Sequence, residues 1–214
     1  MRKRKILKNS LYIILDLDLP YLSQNPLSLA KELISGGIDI LQLRTKKYPA
    51  KYLIDVGIKI KDITKENNVI LIINDRVDIA KAIDADGVHL GQEDLPVNFA
   101  RKFLGKEKII GLSTHSIAEV RKAQMEDIDY ISIGPIFKSP TKPELKPIGT
   151  KILKKVAQIS KLPVVAIGGI NLDNLKGVLS YKVDAVAIIS AILKSEELKK
   201  TVCTFKNYLI QYGN

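Results

Sequence analysis

The sequence has little of what several protein classes require. It contains a single cysteine, Cys203, which excludes an internal disulfide framework and any cysteine-rich zinc site. It has no tryptophan, and aromatic residues make up only 6% of the chain. The longest apolar run, Val186 to Leu193, is far shorter than the ~18 residues that a membrane span needs, and a serine interrupts it. We therefore expect no membrane partner.

The N-terminus is basic, as at the start of an export signal. The apolar stretch that follows it, Leu11 to Leu15, ends at Asp16 and is shorter than the ~7–15 apolar residues of a signal peptide. We therefore expect a cytoplasmic protein in which residues 1–10 form a basic N-terminal arm.

The chain is strongly basic, with 34 Lys and Arg against 23 Asp and Glu and a formal net charge of +11. This charge is consistent with a lysine-rich surface, an anionic small substrate or nucleic acid. Lysines are scattered through the predicted helices, and stacking aromatic residues are few, so nucleic acid is the least favoured of the three. The pattern leaves the oligomeric state open, including a homo-oligomer.

Short β-branched runs alternate with longer amphipathic stretches along the 214 residues. The predicted strands are Leu11–Asp16, Ile38–Arg44, Val69–Asn74, Gly87–Leu90, Ile109–Ser113, Tyr130–Gly134, Val164–Gly168 and Ala185–Ser190. The predicted helices are Pro26–Ser35, Ala50–Asn67, Arg76–Ile83, Pro96–Leu104, Ser116–Glu126, Gly149–Ser160, Leu172–Leu179 and Glu196–Tyr212. Several strands are apolar on both faces, as parallel strands covered by helices are. The pattern predicts an α/β protein with one (β/α)8 TIM-barrel domain over residues 1–214, and a doubly wound open sheet is the alternative.

Functional residues of such barrels lie at the carboxyl ends of the strands. Gln42, Arg44 and Lys46 end the second predicted strand and would share one face, because side chains alternate along a strand. This set can bind an anion. Alternatively, Arg44 is structural and pairs with a carboxylate on a neighbouring strand.

Two carboxylates, Asp75 and Asp94, follow the third and fourth strands and would lie close together. Two such groups repel unless a cation or a proton lies between them, and Mg²⁺ is commonly held by one or two carboxylates plus substrate phosphates. The sequence thus suggests a site for pyrophosphate and Mg²⁺. The alternative is that each aspartate only caps the helix that follows it.

The loop 134–149 and the Gly168-Gly169 pair point to phosphate binding. The loop supplies hydroxyl groups at Ser139 and Thr141 and a cation at Lys142, although it could be a plain surface loop. The glycines permit close backbone approach, and Ser190 ends the next strand, although a tight turn without a ligand would look the same.

The two histidines do not suggest an acid–base pair. His89 is predicted to be a packed, hydrogen-bonded residue within a strand, and His115 to help start a helix. Without an evident protein nucleophile or base, the residues favour a reaction in which the substrate's own leaving group departs with the help of a metal.

Taken together, the motifs resemble those of the thiamine-phosphate synthase family of (β/α)8 barrels. The resemblance rests, in the family's order, on Gln42-Leu-Arg-Thr-Lys46, Ile73-Asn-Asp-Arg-Val-Asp-Ile-Ala80, Ala85-Asp-Gly-Val-His-Leu-Gly-Gln-Glu-Asp94, Gly111-Leu-Ser-Thr-His115, Asp129-Tyr-Ile-Ser-Ile-Gly-Pro135, Ser139-Pro-Thr-Lys142, Val165-Ala-Ile-Gly-Gly-Ile170 and Ala187-Ile-Ile-Ser190.

The resemblance implies an Mg²⁺-dependent transferase of thiamine biosynthesis. It would join a hydroxymethylpyrimidine diphosphate to a thiazole phosphate, or to its carboxylated form, and release pyrophosphate. The residues implied for the pyrimidine diphosphate are Gln42, Arg44, Lys46, Asn74, Ser113 and Lys142. Those implied for the thiazole phosphate are Ser139, Thr141, Gly169, Ile189 and Ser190, and those for Mg²⁺ are Asp75 and Asp94. Arg44, Lys46 and Lys142 would act catalytically by stabilising the departing pyrophosphate.

The sequence departs from the family pattern at three positions. Thr45 stands where the family usually has an acidic residue, which should strengthen the local positive field. Ser139 replaces a usual threonine and keeps the hydroxyl, and Lys138 stands where proline is common. Two other readings remain open. A thiazole tautomerase on the same scaffold typically lacks the acidic pair, and a non-catalytic phosphate sensor would not need it.

Overall fold

The computed structural model of the protein describes residues 9–22, 24–139, 141 and 143–213. Within them eight parallel strands pair in chain order and close into a barrel. The strands are β1 (Ser10–Asp16), β2 (Ile40–Arg44), β3 (Ile70–Asn74), β4 (Gly87–Leu90), β5 (Ile109–Thr114), β6 (Tyr130–Ile133), β7 (Val164–Ile167) and β8 (Ala185–Ile188). Closure is explicit in the register, since Tyr12 of β1 pairs with Ile40 on one side and with Ala187 on the other. The predicted barrel is confirmed, and the open sheet is wrong.

Helices connect successive strands within the described residues. They are α1 (Pro26–Ser35), α2 (Ala50–Glu66), α3 (Val77–Ala82), α4 (Val97–Leu104), α5 (Ile117–Ala123), α6 (Lys151–Ile159), α7 (Leu172–Leu179), α8 (Ser190–Leu193) and α9 (Leu198–Tyr212). The short helix α8 was not predicted. The expectation that Ser190 ends strand eight is wrong, because the strand stops at Ile188 and Ser190 begins α8.

Most of the predicted basic arm, residues 1–8, lies outside the described residues. Ser10, which the prediction assigned to the arm, is the first residue of β1. Among the described residues, none of the helices has the length and the apolar composition needed to cross a membrane.

The strands separate two apolar layers. In β1, Leu11, Ile13 and Leu15 pack in the layer between the strands and the helices. Tyr12 and Ile14 face the other way, into the barrel interior. Because both faces of the strand are buried, its sequence is apolar without a gap from Leu11 to Leu15.

Four aspartates tie the strands together in pairs at the amino-terminal end of the barrel. Each precedes an even-numbered strand, accepts the backbone N–H of a residue at the start of the preceding strand, and donates its own N–H to the carbonyl of that residue. The pairs are Asp39 with Leu11, Asp86 with Leu71, Asp129 with Ile110, and Asp184 with Val164, at N···O distances of 2.7–3.0 Å. We call these double hydrogen bonds aspartate clasps. Each clasp joins the two strands of a pair at the amino-terminal end of the barrel. The carboxyl ends lie opposite them.

Candidate active site

A pocket lies at the carboxyl ends of the strands, and most of the predicted site residues line it. Those that do are Gln42, Arg44, Asn74, Ser113, Ser139, Thr141, Gly169, Ile189 and Ser190. Lys46, Asp75 and Asp94 are not part of this lining, but they form a charged cluster next to Asn74. Lys142 lies outside the described residues. The barrel thus brings together groups that are far apart in the sequence.

Arg44 has a structural partner and also faces the pocket. It stands opposite Asp16 in the register of β1 and β2, and its guanidinium forms an ion pair with the Asp16 carboxylate. The predicted pairing of Arg44 with a carboxylate on a neighbouring strand is therefore confirmed. Burial raises the pKa of Asp16, and the positive charge of Arg44 offsets part of that rise. Since Arg44 is partly exposed and lines the pocket, the pair also leaves donors for an anion.

Thr45 connects the loops after β1 and β2. Its hydroxyl donates to the Asp18 carboxylate at 2.6 Å, and the backbone N–H of Lys46 donates to the same carboxylate at 2.6 Å. Burial alone would raise the pKa of Asp18, but these hydrogen bonds and the charge of Arg44 outweigh burial and lower it. Asp18 therefore supplies negative charge beside the Arg44–Lys46 segment and offsets part of the stronger positive field expected from Thr45.

Asp75 is held in a constrained position at the end of β3. Its backbone lies in the left-handed region, with φ at 58°, which is uncommon for a residue other than glycine. Its carboxylate accepts a hydrogen bond from the Asn74 amide at 2.6 Å and pairs with the Lys46 ammonium at 2.5 Å. Lys46, from the loop after β2, therefore meets Asp75 at the end of β3.

Asp94 lies next to Asp75. Burial raises the pKa of Asp94, and the hydrogen bond and the negative charge of Asp75 raise it further. The backbone N–H of Gly91 donates to the Asp94 carboxylate at 2.6 Å and orients it. Neither aspartate caps a helix, because α3 and α4 have Arg76 and Pro96 at their N-cap positions and neither helix has a side-chain cap. The capping alternative is therefore wrong.

The two carboxylates fit a hard divalent cation. They offer only oxygen ligands, and their mutual repulsion makes a positive charge between them favourable. Within the described part of the chain, no group of three or more His, Cys, Asp and Glu side chains is arranged to hold a metal. A cation bound here would complete its coordination with water and with oxygens of a phosphorylated ligand, as Mg²⁺ commonly does.

The loop after β6 packs directly on the turn after β7. The backbone N–H groups of Ile136 and Phe137 donate to the carbonyls of Ile167 and Gly168 at 2.9 and 3.0 Å. A methyl group on Gly168 would lie 2.5 Å from Pro135, and one on Gly169 would lie 2.4 Å from the Lys138 carbonyl oxygen. Both glycines also have positive φ, at 101° and 62°. They are therefore required for close backbone approach, which the sequence predicted without identifying the loop as the neighbour.

Hydroxyl groups line the pocket on this side. Ser139 is buried, its hydroxyl accepts the backbone N–H of Thr141 at 3.3 Å, and both residues line the pocket. Ile189 and Ser190, at the start of α8, line it as well. Hydroxyl groups and backbone near two glycines make this region suitable for a phosphate group.

The interior beneath the pocket holds a polar network that sequence reasoning missed. Gln42 donates to the Tyr12 hydroxyl at 2.6 Å, and that hydroxyl lies 3.0 Å from the hydroxyl of Tyr130. The Tyr130 hydroxyl is 2.9 Å from His89 Nδ1, and His89 Nε2 is 3.0 Å from the Ser113 hydroxyl. The prediction of a packed, hydrogen-bonded His89 is confirmed, and His89 also lines the pocket.

His115 lies just before α5. Its ring Nδ1 is 3.0 Å from the Glu119 carboxylate, to which its backbone N–H also donates, and Ser116 caps the helix. The prediction that His115 helps start a helix is confirmed, although its side chain also borders the pocket.

Comparison with known proteins gives a consistent match. The family described as thiamine monophosphate synthase matches residues 11–192. Proteins named thiamine-phosphate synthase from Halalkalibacterium halodurans and Persephonella marina are each 43% identical to this chain. The first match covers 86% of this chain and 87% of the relative, and the second covers 94% and 95%. The solved thiamine phosphate pyrophosphorylase from Pyrococcus furiosus superposes with a TM-score of 0.88 at 34% identity, over 98% of each chain. A 3-hexulose-6-phosphate synthase from Salmonella typhimurium, with a TM-score of 0.69 at 18% identity over 95% of this chain and 99% of its own, shares the fold alone.

Proposed function

Because the chain belongs to the thiamine monophosphate synthase family, we propose that it joins 4-amino-2-methyl-5-hydroxymethylpyrimidine diphosphate to 4-methyl-5-(2-phosphooxyethyl)thiazole, or to its carboxylated form. The products are thiamine phosphate and pyrophosphate, and the carboxylated thiazole would in addition lose its carboxyl group as carbon dioxide. The observation that carries this assignment is the charged cluster of Lys46, Asp75 and Asp94 beside a pocket with hydroxyl groups on its other side. The protein would act on these small molecules in the cytoplasm as one barrel domain.

The charged cluster would hold the diphosphate. Arg44 and Lys46 supply positive charge, and Asn74 supplies an amide donor next to Asp75. Asp75 and Asp94 would hold Mg²⁺ together with diphosphate oxygens, and the bound ion would supply positive charge to the leaving group. Lys142 joins this set by its sequence motif.

The reaction needs no protein nucleophile. The bond between the pyrimidine methylene carbon and the diphosphate oxygen breaks, and its electron pair leaves with the diphosphate. The thiazole ring nitrogen then donates its lone pair to the methylene carbon and forms the new C–N bond. Arg44 and Lys46 stabilise the charge that develops on the departing diphosphate, which is where preformed electrostatics contribute most to catalysis.

The other side of the pocket would hold the thiazole phosphate. Ser139, Thr141 and Ser190 supply hydroxyl groups, and Gly169 and Ile189 bring backbone close to the ligand. With the two substrates at opposite sides of one pocket, the thiazole nitrogen can approach the methylene carbon directly. Such positioning replaces an encounter in solution by a reaction within one complex.

The acidic pair favours this reaction over the two other readings. An isomerase acting on the thiazole alone releases no pyrophosphate and has no need for a cation site. A phosphate sensor has no need for it either. Asp75 and Asp94 lie beside each other and beside Lys46, which supports a reaction that releases pyrophosphate.

The test is turnover by the purified protein with both substrates, with and without Mg²⁺. We expect thiamine phosphate and pyrophosphate to appear in equal amounts and only with Mg²⁺. Asp75→Asn and Asp94→Asn should each lower turnover by at least roughly 100-fold, the scale of losing one electrostatic group of a site. The matched control is Asp78→Asn, because Asp78 is exposed and pairs with Arg76.

Two results would refute the proposal. One is thiazole isomerisation without pyrophosphate release by the unchanged protein. The other is Mg²⁺-dependent turnover that survives both aspartate substitutions at the level of the Asp78→Asn control.

A further inference from the structure

The polar network under the pocket is continuous from one substrate-facing side chain to another. Gln42 on β2 and Ser113 on β5 both line the pocket, and the strands that carry them are three positions apart in the eight-stranded barrel. Tyr12, Tyr130 and His89 connect the two side chains through four contacts of 2.6–3.0 Å. The two tyrosines are at most 2% exposed, so water does not compete for these bonds.

Each tyrosine can donate only one hydrogen bond. Burial raises the pKa of Tyr12 and that of Tyr130, so both hydroxyls keep their single proton at neutral pH. The Gln42 amide nitrogen donates to Tyr12, so the Tyr12 proton is free to point to Tyr130. The Tyr130 proton then points to His89 Nδ1. His89 must accept there and carry its own proton on Nε2. That nitrogen lies 3.0 Å from the Ser113 hydroxyl and 3.3 Å from the Ser132 hydroxyl, and it donates to Ser113, the nearer of the two.

We infer that Tyr12, Tyr130 and His89 are positioning residues that give this network one direction and so fix Gln42 as an acceptor and Ser113 as a donor toward the substrate. The amide oxygen of Gln42 is the atom that Tyr12 does not hold. The Ser113 hydroxyl, which accepts from His89, keeps its own proton to donate. This inference rests on the proposed function, because it concerns how the site selects its pyrimidine.

The fixed direction matches an aminopyrimidine. A 4-aminopyrimidine presents a donor at its amino group and, across the ring, an acceptor at a ring nitrogen. The 4-oxo counterpart presents an acceptor where the amine would be. Its oxygen would face the Gln42 amide oxygen, and two acceptors cannot form a hydrogen bond with each other. A site whose buried groups are committed to one pattern rejects a ligand that leaves them unpaired.

The first test measures the proton positions directly. The chain has only two histidines, so long-range ¹⁵N NMR of the imidazoles is simple to assign with a His115→Asn variant. We expect His89 to be neutral, with a protonated Nε2 and an unprotonated Nδ1. Protonation at Nδ1 would overturn the inference, and this readout is independent of enzyme activity.

The second test measures selectivity by calorimetry with two unreactive probes, 4-amino-5-hydroxymethyl-2-methylpyrimidine and its 4-oxo counterpart. The unchanged protein should bind the amino probe more tightly. Tyr12→Phe and Tyr130→Phe each break the network without removing a ring, so each should lower the ratio of the two affinities by roughly three- to tenfold. The matched control, Tyr208→Phe, alters a tyrosine on α9 whose ring packs at a tilt of 44° against that of Tyr212, and it should leave the ratio of the two affinities unchanged.

A purely structural role would weaken both probes equally and leave their ratio constant, which would overturn the inference. If Tyr130→Phe does not fold, Tyr12→Phe and the NMR measurement still decide. The outcome is separable from the proposed function. If the protein makes thiamine phosphate but neither Tyr12→Phe nor Tyr130→Phe changes the ratio of the two probe affinities, only the inference about the polar network is refuted. If the protein makes no thiamine phosphate but His89 has the expected tautomer and the ratio of the two probe affinities changes as expected, only the synthase reaction is refuted.

Discussion

Gly169 lies in the turn after β7, where it packs against the loop that carries Ser139. We expect Gly169→Ala to distort the pocket by pushing this turn and this loop apart. The added methyl group would lie 2.4 Å from the Lys138 carbonyl oxygen and 2.9 Å from Phe137 Cβ. An ordinary contact needs at least 3.4 Å, so one backbone must move by about 1 Å. The residue also has φ at 62°, which costs an alanine roughly 1–2 kcal/mol.

The displaced segment is adjacent to Ser139 in the thiazole-phosphate side of the pocket. A shift of about 1 Å at a substrate-positioning group can lower the rate by roughly 100-fold. We therefore expect kcat/KM for the thiazole phosphate to fall by roughly this factor, with a smaller change in KM for the pyrimidine diphosphate. The free energy of unfolding should fall by roughly 1–3 kcal/mol, the usual range for a strained substitution.

Steady-state kinetics with each substrate varied in turn, together with urea unfolding, measures both effects. The matched control is Gly177→Ala, because Gly177 lies inside helix α7 and its added methyl group would meet nothing within 4 Å. That variant should keep full activity and gain roughly 0.5–1 kcal/mol of stability. Equal kinetics for Gly169→Ala and Gly177→Ala would refute the argument that close backbone approach at Gly169 shapes the pocket.

Two further predictions concern stability. Arg101 is buried and donates to Asp129 at 2.9 Å and to backbone carbonyls at the amino-terminal end, so Arg101→Met should lower the free energy of unfolding by roughly 3–5 kcal/mol while activity per folded molecule is kept. Unfolding with and without substrate measures the change in the free energy of unfolding. A loss of kcat in the folded variant would contradict the prediction that activity is kept. The lowered pKa of Asp18 means that its charge stabilises the fold above the ordinary pKa of 3.8 and that this contribution is lost as the pH falls through the folded-state pKa. The stability difference between the unchanged protein and Asp18→Asn should therefore be largest near neutral pH and shrink below pH 3.8, and a constant difference across an acid titration would contradict it.

The sequence predicted the barrel because its local patterns all agree. Apolar runs with turn residues between them identify the eight strands of the structure, within one or two residues at most ends. The exception is α8. The run from Val186 to Leu193 is apolar throughout, and periodicity alone does not separate the end of a strand from a short buried helix.

The candidate site was predictable where charge or glycine marks the end of a strand. Arg44, Asp75, Asp94 and Gly169 stand out because such residues are unusual next to buried strands. The partner of Arg44 was not predictable, because Asp16 faces it only through the strand register. Tyr12 and Tyr130 looked like ordinary core residues, and only the closed barrel brings their hydroxyls within hydrogen-bond distance.

The aspartate clasps divide the molecule into four quarters of two strands each. The residues joined by each clasp are only 28, 15, 19 and 20 positions apart, so each quarter closes a short loop at low entropic cost. The joints between quarters, including the one that joins the first strand to the last, have no such clasp among the residues described. The register within a quarter can therefore be set before the barrel closes. In hydrogen exchange, the amides within a quarter should lose protection together. The amides at the joints between quarters should lose protection first, because the closed barrel should open there.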